Sequence, residues 1–167
     1  MTRMDFPIKY YSVGKVYRLE AKQFLPISLG EAWDFFSSPK NLATITPVNL
    51  GFVILSGADT KMYAGQIIQY KVTPLPLFKA TWVTEIKHVE NHKFFVDEQR
   101  FGPYALWHHK HFFKEIEGGV EMMDIVDYVP PFGVLGRLVN PFIVKPRLME
   151  IFEYRKKKLE ELFPSKV

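Results

Sequence analysis

The stretch that decides the fold is residues 105–129, ALWHHKHFFKEIEGGVEMMDIVDYV. Polar and apolar side chains alternate on both sides of the Gly118-Gly119 pair, a pattern typical of two β-strands joined by a tight turn. On the first strand, Lys110 and Lys114 lie on the same face, which we therefore expect to contact solvent. Acidic residues mark one face of the second strand in the same way, so the stretch predicts a hairpin with one exposed and one buried surface.

The other face of the hairpin is predicted to point into the protein. It carries Trp107, His109, His111 and Phe113 from the first strand and Val120, Met122, Asp124, Val126 and Tyr128 from the second. A two-residue turn at Gly118-Gly119 pairs Glu117 with Val120. This register sets Phe113 opposite Asp124, His111 opposite Val126 and His109 opposite Tyr128. Asp124 is then diagonal to His111, at a distance that long side chains can span.

Turn residues divide the remaining sequence into further strands. We predict strands near residues 16–25, 50–56, 65–74, 78–89, 93–101, 105–116 and 120–129. Their short connections are typical of an antiparallel meander. Residues 1–14 are predicted to be a lead-in without regular structure, and neither a linker nor an internal repeat divides the chain.

Two short helices are predicted after the first strand. Ser28 is a favourable N-cap, and Glu31 three residues later completes a capping box. One side of the resulting helix carries Leu29, Ala32, Trp33 and Phe36. A second short helix is expected from Pro39 to Ile45.

The chain after Pro130-Pro131 is predicted to be helical to about residue 163. Pro141 and Pro146 interrupt this segment, so we expect a short helix at 133–140 and then a longer, kinked helix. One face of the longer helix is apolar: Leu148, Ile151, Phe152, Leu159, Leu162 and Phe163.

Arg155 lies near the middle of this apolar face. A guanidinium in such a place costs several kcal/mol unless it is paired or reaches water. The sequence therefore predicts that Arg155 meets a carboxylate from the sheet, Asp124 or Glu98, or an anionic ligand.

Composition limits the class of protein. The chain has 167 residues, of which 47% are hydrophobic and 24% charged, as expected for one globular domain. It has no cysteine, which excludes disulfides, thiolate metal sites and a cysteine nucleophile.

The N-terminus lacks a signal peptide and no apolar run could cross a bilayer, so a cytoplasmic protein is expected. Its net charge is +4, and the run from Arg155 to Lys158 is typical of a solvated helix face rather than a nucleic-acid site.

One family resemblance is carried by FVDEQRFGPYALWHHKHFF at 95–113, DIVDYVPPFG at 124–133 and the Arg155 region. These stretches resemble the START-like or Bet v 1-like (SRPBCC) superfamily, in particular its polyketide cyclase/dehydrase and lipid-transport branch and a bacterial subgroup with no established reaction. The resemblance covers roughly residues 16–163. It implies an α+β helix-grip fold, in which a curved antiparallel sheet of about seven strands wraps around a long C-terminal helix. It also implies a cavity between sheet and helix.

The predicted ligand-binding residues face that cavity from the strands and the long helix. They are Tyr70, Trp82, Trp107, His109, His111, Asp124, Tyr128 and Arg155. Aromatic and aliphatic side chains are expected to hold the body of an apolar ligand. The polar end of the ligand is assigned to Arg155, His109, His111 and Tyr128.

Three functions fit this pattern. The first is a carrier or sensor of an apolar small molecule with one polar or anionic group. The second is a cyclase or dehydratase with His111 as base and Asp124 as its orienting partner. The third is a quinone- or lipid-handling protein that contacts a membrane transiently through residues 132–144 and the basic run. The sequence leaves the oligomeric state open.

The same polar residues allow two other interpretations. His109, His111 and Asp124 have the chemistry of metal ligands, but this combination is also common in polar-lined pockets, and no metal is predicted. A hydrogen-bond network that joins sheet and helix is the simplest alternative. Phosphate-binding and dinucleotide-binding motifs are absent, so no cofactor is predicted, and we favour a binding protein over an enzyme.

Overall fold

Eight β-strands and three α-helices make up the part of the chain that the computed structural model describes, residues 6–75 and 78–165. The strands are β1 (Lys9–Val13), β2 (Val16–Leu25), β3 (Val53–Ser56), β4 (Ile67–Leu75), β5 (Phe78–Glu90), β6 (Phe94–Phe101), β7 (Leu106–Ile116) and β8 (Gly119–Val129). The helices are α1 (Leu29–Phe36), α2 (Gly133–Val139) and α3 (Lys145–Leu162), with 3-10 turns at Pro39–Leu42 and Val48–Leu50.

All strands join one antiparallel sheet in the order β1-β2-β8-β7-β6-β5-β4-β3. Strands β3 to β8 follow one another as a meander, and β2 pairs with β8, so the N-terminal strands lie beside the last strand of the meander. The curved sheet and the long C-terminal helix confirm the predicted α+β helix-grip fold. The sheet has one strand more than predicted.

The additional strand is β1, in the segment predicted to lack regular structure. Lys9 pairs with Glu20 and Tyr10 with Leu19, and Gly14 supplies the positive φ of the turn into β2. Most side chains of β1 are exposed, so the strand has no clear apolar alternation. The prediction for residues 9–13 was wrong for this reason, while residues 1–5 lie outside the described part.

The helices follow their local signals. Ser28 and Glu31 form the predicted capping box, and α1 buries Ala32, Trp33 and Phe36. The second short helix is a 3-10 turn that ends at Leu42, earlier than predicted. Pro141 interrupts the C-terminal segment as expected, but the interruption is a π-helical turn, Asn140–Val144, in which the Lys145 N–H reaches the Asn140 carbonyl.

The register of the β7–β8 hairpin differs from the prediction. The turn is Glu117-Gly118, and Ile116 pairs with Gly119 inside the ladder. Gly119 lies against β2, where an added Cβ would be 2.2 Å from the Leu25 carbonyl oxygen. The predicted pairs of Phe113 with Asp124, His111 with Val126 and His109 with Tyr128 are therefore wrong. The observed pairs are Phe113 with Met122, His111 with Asp124, His109 with Val126 and Trp107 with Tyr128.

The two-residue error leaves every side chain on its predicted face because side chains alternate with a period of two. Helix α3 covers that inner face. It buries Leu148, Phe152, Arg155 and Leu159, and Leu148 and Phe152 pack with Leu19, Val126 and Tyr128 of the sheet. Leu162, predicted to be on the apolar face, is partly exposed at the end of α3. Within the described ranges, none of the helices is long and apolar enough to cross a bilayer.

Candidate functional site

A cavity of about 770 Å³ lies between the sheet and the helices. Its lining is mainly apolar and aromatic and includes Phe36, Phe52, Tyr70, Trp82, Phe95, Trp107 and Leu148. One region of the lining, which we call the polar floor, consists of Asp97, His109, His111 and Arg155. A cavity of this size with a few convergent polar groups has the properties of a small-molecule site.

Six of the eight predicted ligand-binding residues line this cavity. They are Tyr70, Trp82, Trp107, His109, His111 and Arg155. The remaining two, Asp124 and Tyr128, are buried behind the lining. The structure thus divides the predicted set into six residues that line the cavity and two that lie behind the lining.

An aromatic cluster forms one wall of the cavity. The rings of Trp82 and Trp107 meet edge to face with centroids 5.1 Å apart. Tyr104 packs against both, at 5.6 Å and 4.9 Å. Gln99 holds Tyr104 in place, because its amide donates to the Tyr104 carbonyl at 2.7 Å and accepts from the Tyr104 N–H at 3.2 Å. Sequence reasoning missed Tyr104 because it follows the Gly102-Pro103 turn rather than a strand pattern.

The polar floor is held together by Asp124, which lies behind it. Asp124 accepts a hydrogen bond from His109 Nε2 at 3.0 Å, and its Oδ1 lies 2.8 Å from His111 Nδ1. The second contact has the right distance but not the alignment of a hydrogen bond, and His111 Nδ1 has no other partner among the described residues. Arg155 Nη2 is 3.5 Å from the same Asp124 oxygen.

Asp97 on β6 completes the network from the cavity side. His111 Nε2 lies 2.8 Å from Asp97 Oδ2, and His109 Nδ1 lies 3.8 Å from the same oxygen. The His111 ring also stacks on Phe95 with centroids 4.1 Å apart. Asp97 and the two histidines are thus the residues here that could hold a metal. Glu98, the other predicted partner of Arg155, instead pairs with His108 on the outer face of the sheet.

Burial and charge together set the protonation states of this network. Burial alone would raise the pKa of Asp124, but Arg155 and the two histidines hold it well below its usual value. Burial, together with the repulsion of a second positive charge on the neighbouring His111, lowers the pKa of His109 to about 4. Burial would also lower the pKa of His111, yet Asp124 and Asp97 outweigh it and raise that pKa. Near neutral pH the site therefore has ionised carboxylates and a neutral His109.

A second buried network lies beside the cavity. Tyr128 donates to Asn140 Oδ1 at 2.8 Å, Asn140 Nδ2 donates to the Tyr10 hydroxyl at 2.8 Å, and the two hydroxyls are 2.8 Å apart. The triad ties β1 and β8 to the π-helical turn between α2 and α3. Tyr128, which was predicted to hold the polar end of a ligand, is fully buried in this triad and is not among the residues that line the cavity. Asn140 carried no recognisable signal in the sequence.

An exposed apolar patch adjoins the cavity. It consists of Phe132, Val134, Leu135, Leu138 and Phe142, each between 63% and 84% exposed. Phe132 also lines the cavity, as do Ile143 and Val144 from the adjacent π-helical turn. Clusters of exposed apolar residues are a common feature of sites that contact proteins or membranes.

The chain has the helix-grip fold that the START-like and Bet v 1-like resemblance implied, and solved proteins from bacteria and a plant share this fold. TTHA0849 from Thermus thermophilus matches with a TM-score of 0.66 at 16% identity, over 86% of this chain and 94% of that one. Ms6760 from Mycobacterium smegmatis matches with 0.65 at 14% identity, over 94% and 96%. Ginseng major latex-like protein 151 from Panax ginseng matches with 0.66 at 10% identity, over 91% and 100%. No family model matches the sequence, and neither does any curated protein.

Proposed function

We propose that the chain is one ligand-binding domain, acting in the cytoplasm, that carries or senses a small apolar molecule with a single polar or anionic group. The observation that carries this proposal is the 770 Å³ cavity, which combines a mainly apolar lining with the polar floor. Rings such as Trp82 and Trp107 suit the body of the ligand, because burial of apolar surface is the main source of affinity.

The polar floor suits the other end of such a molecule. Arg155 Nε is buried without a hydrogen-bond partner among the described residues. A ligand oxygen that accepts from Arg155 would satisfy this donor. We therefore assign a carboxylate, hydroxyl or carbonyl group to the end of the ligand that contacts the floor.

A cavity-filling substitution tests the proposal. Thr84 is buried on β5 and lines the cavity, so Thr84→Trp places an indole where the ligand would lie. We expect this variant to bind 1-anilinonaphthalene-8-sulfonate, an apolar dye with one anionic group, at least tenfold more weakly than the wild type in a fluorescence titration. Lys87→Trp adds the same ring to the same strand outside the cavity lining and should leave the affinity within about twofold.

Native mass spectrometry of the purified chain supplies the second measurement. We expect a bound lipid or similar molecule in the wild type and its loss in Thr84→Trp. The carrier proposal fails if the wild type neither retains such a molecule nor binds the dye. It fails also if a folded Thr84→Trp variant binds the dye as tightly as the wild type.

Catalysis by His111 is less well supported than binding. A general base needs a free ring nitrogen that faces its substrate. Here Nε2 of His111 is engaged by Asp97 and Nδ1 lies against Asp124, at 2.8 Å in each case. The contacts thus favour a binding site over the cyclase or dehydratase alternative.

We further propose that the domain collects its ligand from a membrane through the exposed apolar patch. Arg137 and Lys145 lie within and just after this segment and suit an anionic lipid surface. The basic run predicted for this role is less suitable, because Arg155 is buried and Lys158 pairs with Glu161 at 2.8 Å. Lys157 also lies about 20 Å along the helix from Phe142.

Vesicle flotation checks the membrane contact. The double variant Leu138→Ser/Phe142→Ser removes apolar surface that is largely exposed, so it should fold normally but bind at least tenfold less to vesicles with 30% phosphatidylserine. Val48→Ser, at an 88% exposed site in a different segment, is the control and should bind as the wild type does. Absence of wild-type flotation, or equal flotation of the double variant, would rule out this contact.

A further inference from the structure

We propose that Asp97, His109 and His111 form a site for one divalent transition-metal ion at the floor of the cavity. Asp97 pairs with His109 across the β6–β7 ladder, and His111 follows two residues later on the same face. Each residue offers a ligand atom, and these atoms lie within 4.8 Å of one another. All three side chains line the cavity, so an ion bound there remains accessible.

The spacing of the ligand atoms suits a metal. Asp97 Oδ2 is 2.8 Å from His111 Nε2 and 3.8 Å from His109 Nδ1. In a tetrahedral site with bonds of about 2.0–2.1 Å, ligand atoms lie roughly 3.3 Å apart. These two distances lie on either side of this value, and the ligand atoms of His109 and His111 are no more than 4.8 Å apart, so modest side-chain movements would complete the site.

Asp124 has the position of a supporting carboxylate behind the two imidazoles. The ring nitrogens that do not face Asp97, Nε2 of His109 and Nδ1 of His111, lie 3.0 Å and 2.8 Å from one Asp124 oxygen. Histidines that bind metals usually donate their second N–H to such a group, which fixes the tautomer and orients the ring. Arg155 at 3.5 Å compensates the charge of Asp124.

The donor set defines the class of ion. Two imidazoles and one carboxylate suit Zn²⁺, Fe²⁺ or Co²⁺, whereas Ca²⁺ and Mg²⁺ prefer oxygen ligands alone. Three protein ligands leave coordination positions open towards the cavity, as in sites where the metal meets a small molecule. The sequence prediction of no metal considered Asp124 as the carboxylate, and it is the fold that brings Asp97 from another strand to this place.

Cobalt binding to the untagged, chelator-treated chain tests the proposal. We expect one Co²⁺ per chain by isothermal titration calorimetry, together with visible absorption bands typical of four- or five-coordinate cobalt, and displacement of cobalt by Zn²⁺. Asp97→Asn and His111→Gln should each weaken Co²⁺ binding at least 30-fold. His108→Gln is the matched control, because His108 lies on the same strand but pairs with Glu98 on the outer face, and it should retain wild-type affinity.

Two results would overturn the proposed metal site. Absence of Co²⁺ and Zn²⁺ binding to the wild type would overturn the site and leave Asp97 and the histidines as a hydrogen-bond network. Loss of binding in His108→Gln with retention in Asp97→Asn would assign the ion to the outer surface and also overturn it. If His111→Gln does not fold, Asp97→Asn, which preserves shape, decides the question with the wild-type spectrum. The titration adds no lipid or dye, and a negative result in the dye and mass-spectrometry measurements would leave it standing, so the metal proposal and the carrier proposal can fail separately.

Discussion

Replacement of Asp124 with alanine is expected to lower the free energy of unfolding by about 3–5 kcal/mol, because it leaves a buried charge without its partner. Arg155 is buried on α3 and its one described carboxylate contact is with Asp124. The two histidines lose their common acceptor at the same time. Since domains of this size are stabilised by about 5–15 kcal/mol in total, the loss should be plain in urea unfolding followed by circular dichroism.

A second substitution separates charge from packing. Arg155→Met in the Asp124→Ala background removes the uncompensated guanidinium, and we expect it to restore part of the lost stability. Asp59→Ala is the control, because the Asp59 side chain is 90% exposed near Lys40, and its effect should stay within about 0.5 kcal/mol. A cost below about 1 kcal/mol for Asp124→Ala would show that water compensates the network.

Replacement of Trp33 with alanine should have a similarly large effect on the other side of the core. Trp33 is 5% exposed and meets the rings of Phe95 and Phe113 edge to face, at 6.2 Å and 5.7 Å. Removal of a buried indole loses its burial and leaves a cavity, for which about 3–5 kcal/mol is expected in the same unfolding measurement.

The surface aromatic Phe101 serves as the control for Trp33. It is 72% exposed, so Phe101→Ala should change stability by no more than about 0.5 kcal/mol. Equal costs for the two substitutions would mean that α1 is not anchored through Trp33. In that case the first helix would depend on its capping box and on Phe36.

Local chemistry explains which parts of the fold could be predicted from sequence. The Ser28–Glu31 capping box and the β7–β8 alternation are decided by neighbouring residues, so both were found. The turn after Ile116 was misplaced because Gly118 and Gly119 look alike in sequence. Only Gly118 has a positive φ, while Gly119 is needed for its close approach to β2.

The candidate site depends more on contacts between distant residues. The alternation of side chains along β7 placed His109 and His111 on the inner face of the sheet, and the helical periodicity of α3 placed Arg155 opposite them. Asp97 was not predicted because its strand, β6, has polar residues on both faces, so the sequence does not show which face is buried. The contact of Asp97 with His111 arises from pairing between β6 and β7, which the residues around Asp97 do not reveal.

The order of the sheet also bears on aggregation. An open sheet exposes unpaired backbone groups at both edges, and long, regular edges recruit strands from other molecules. Here the edges are β1 with five residues and β3 with four, the shortest strands of the described chain. The pairing of β3 is further broken by a register shift between Ile54 and Ser56. The longer strands that line the cavity lie inside the sheet, so the protein can enclose an apolar cavity without exposing a long, regular edge as a template for fibrils.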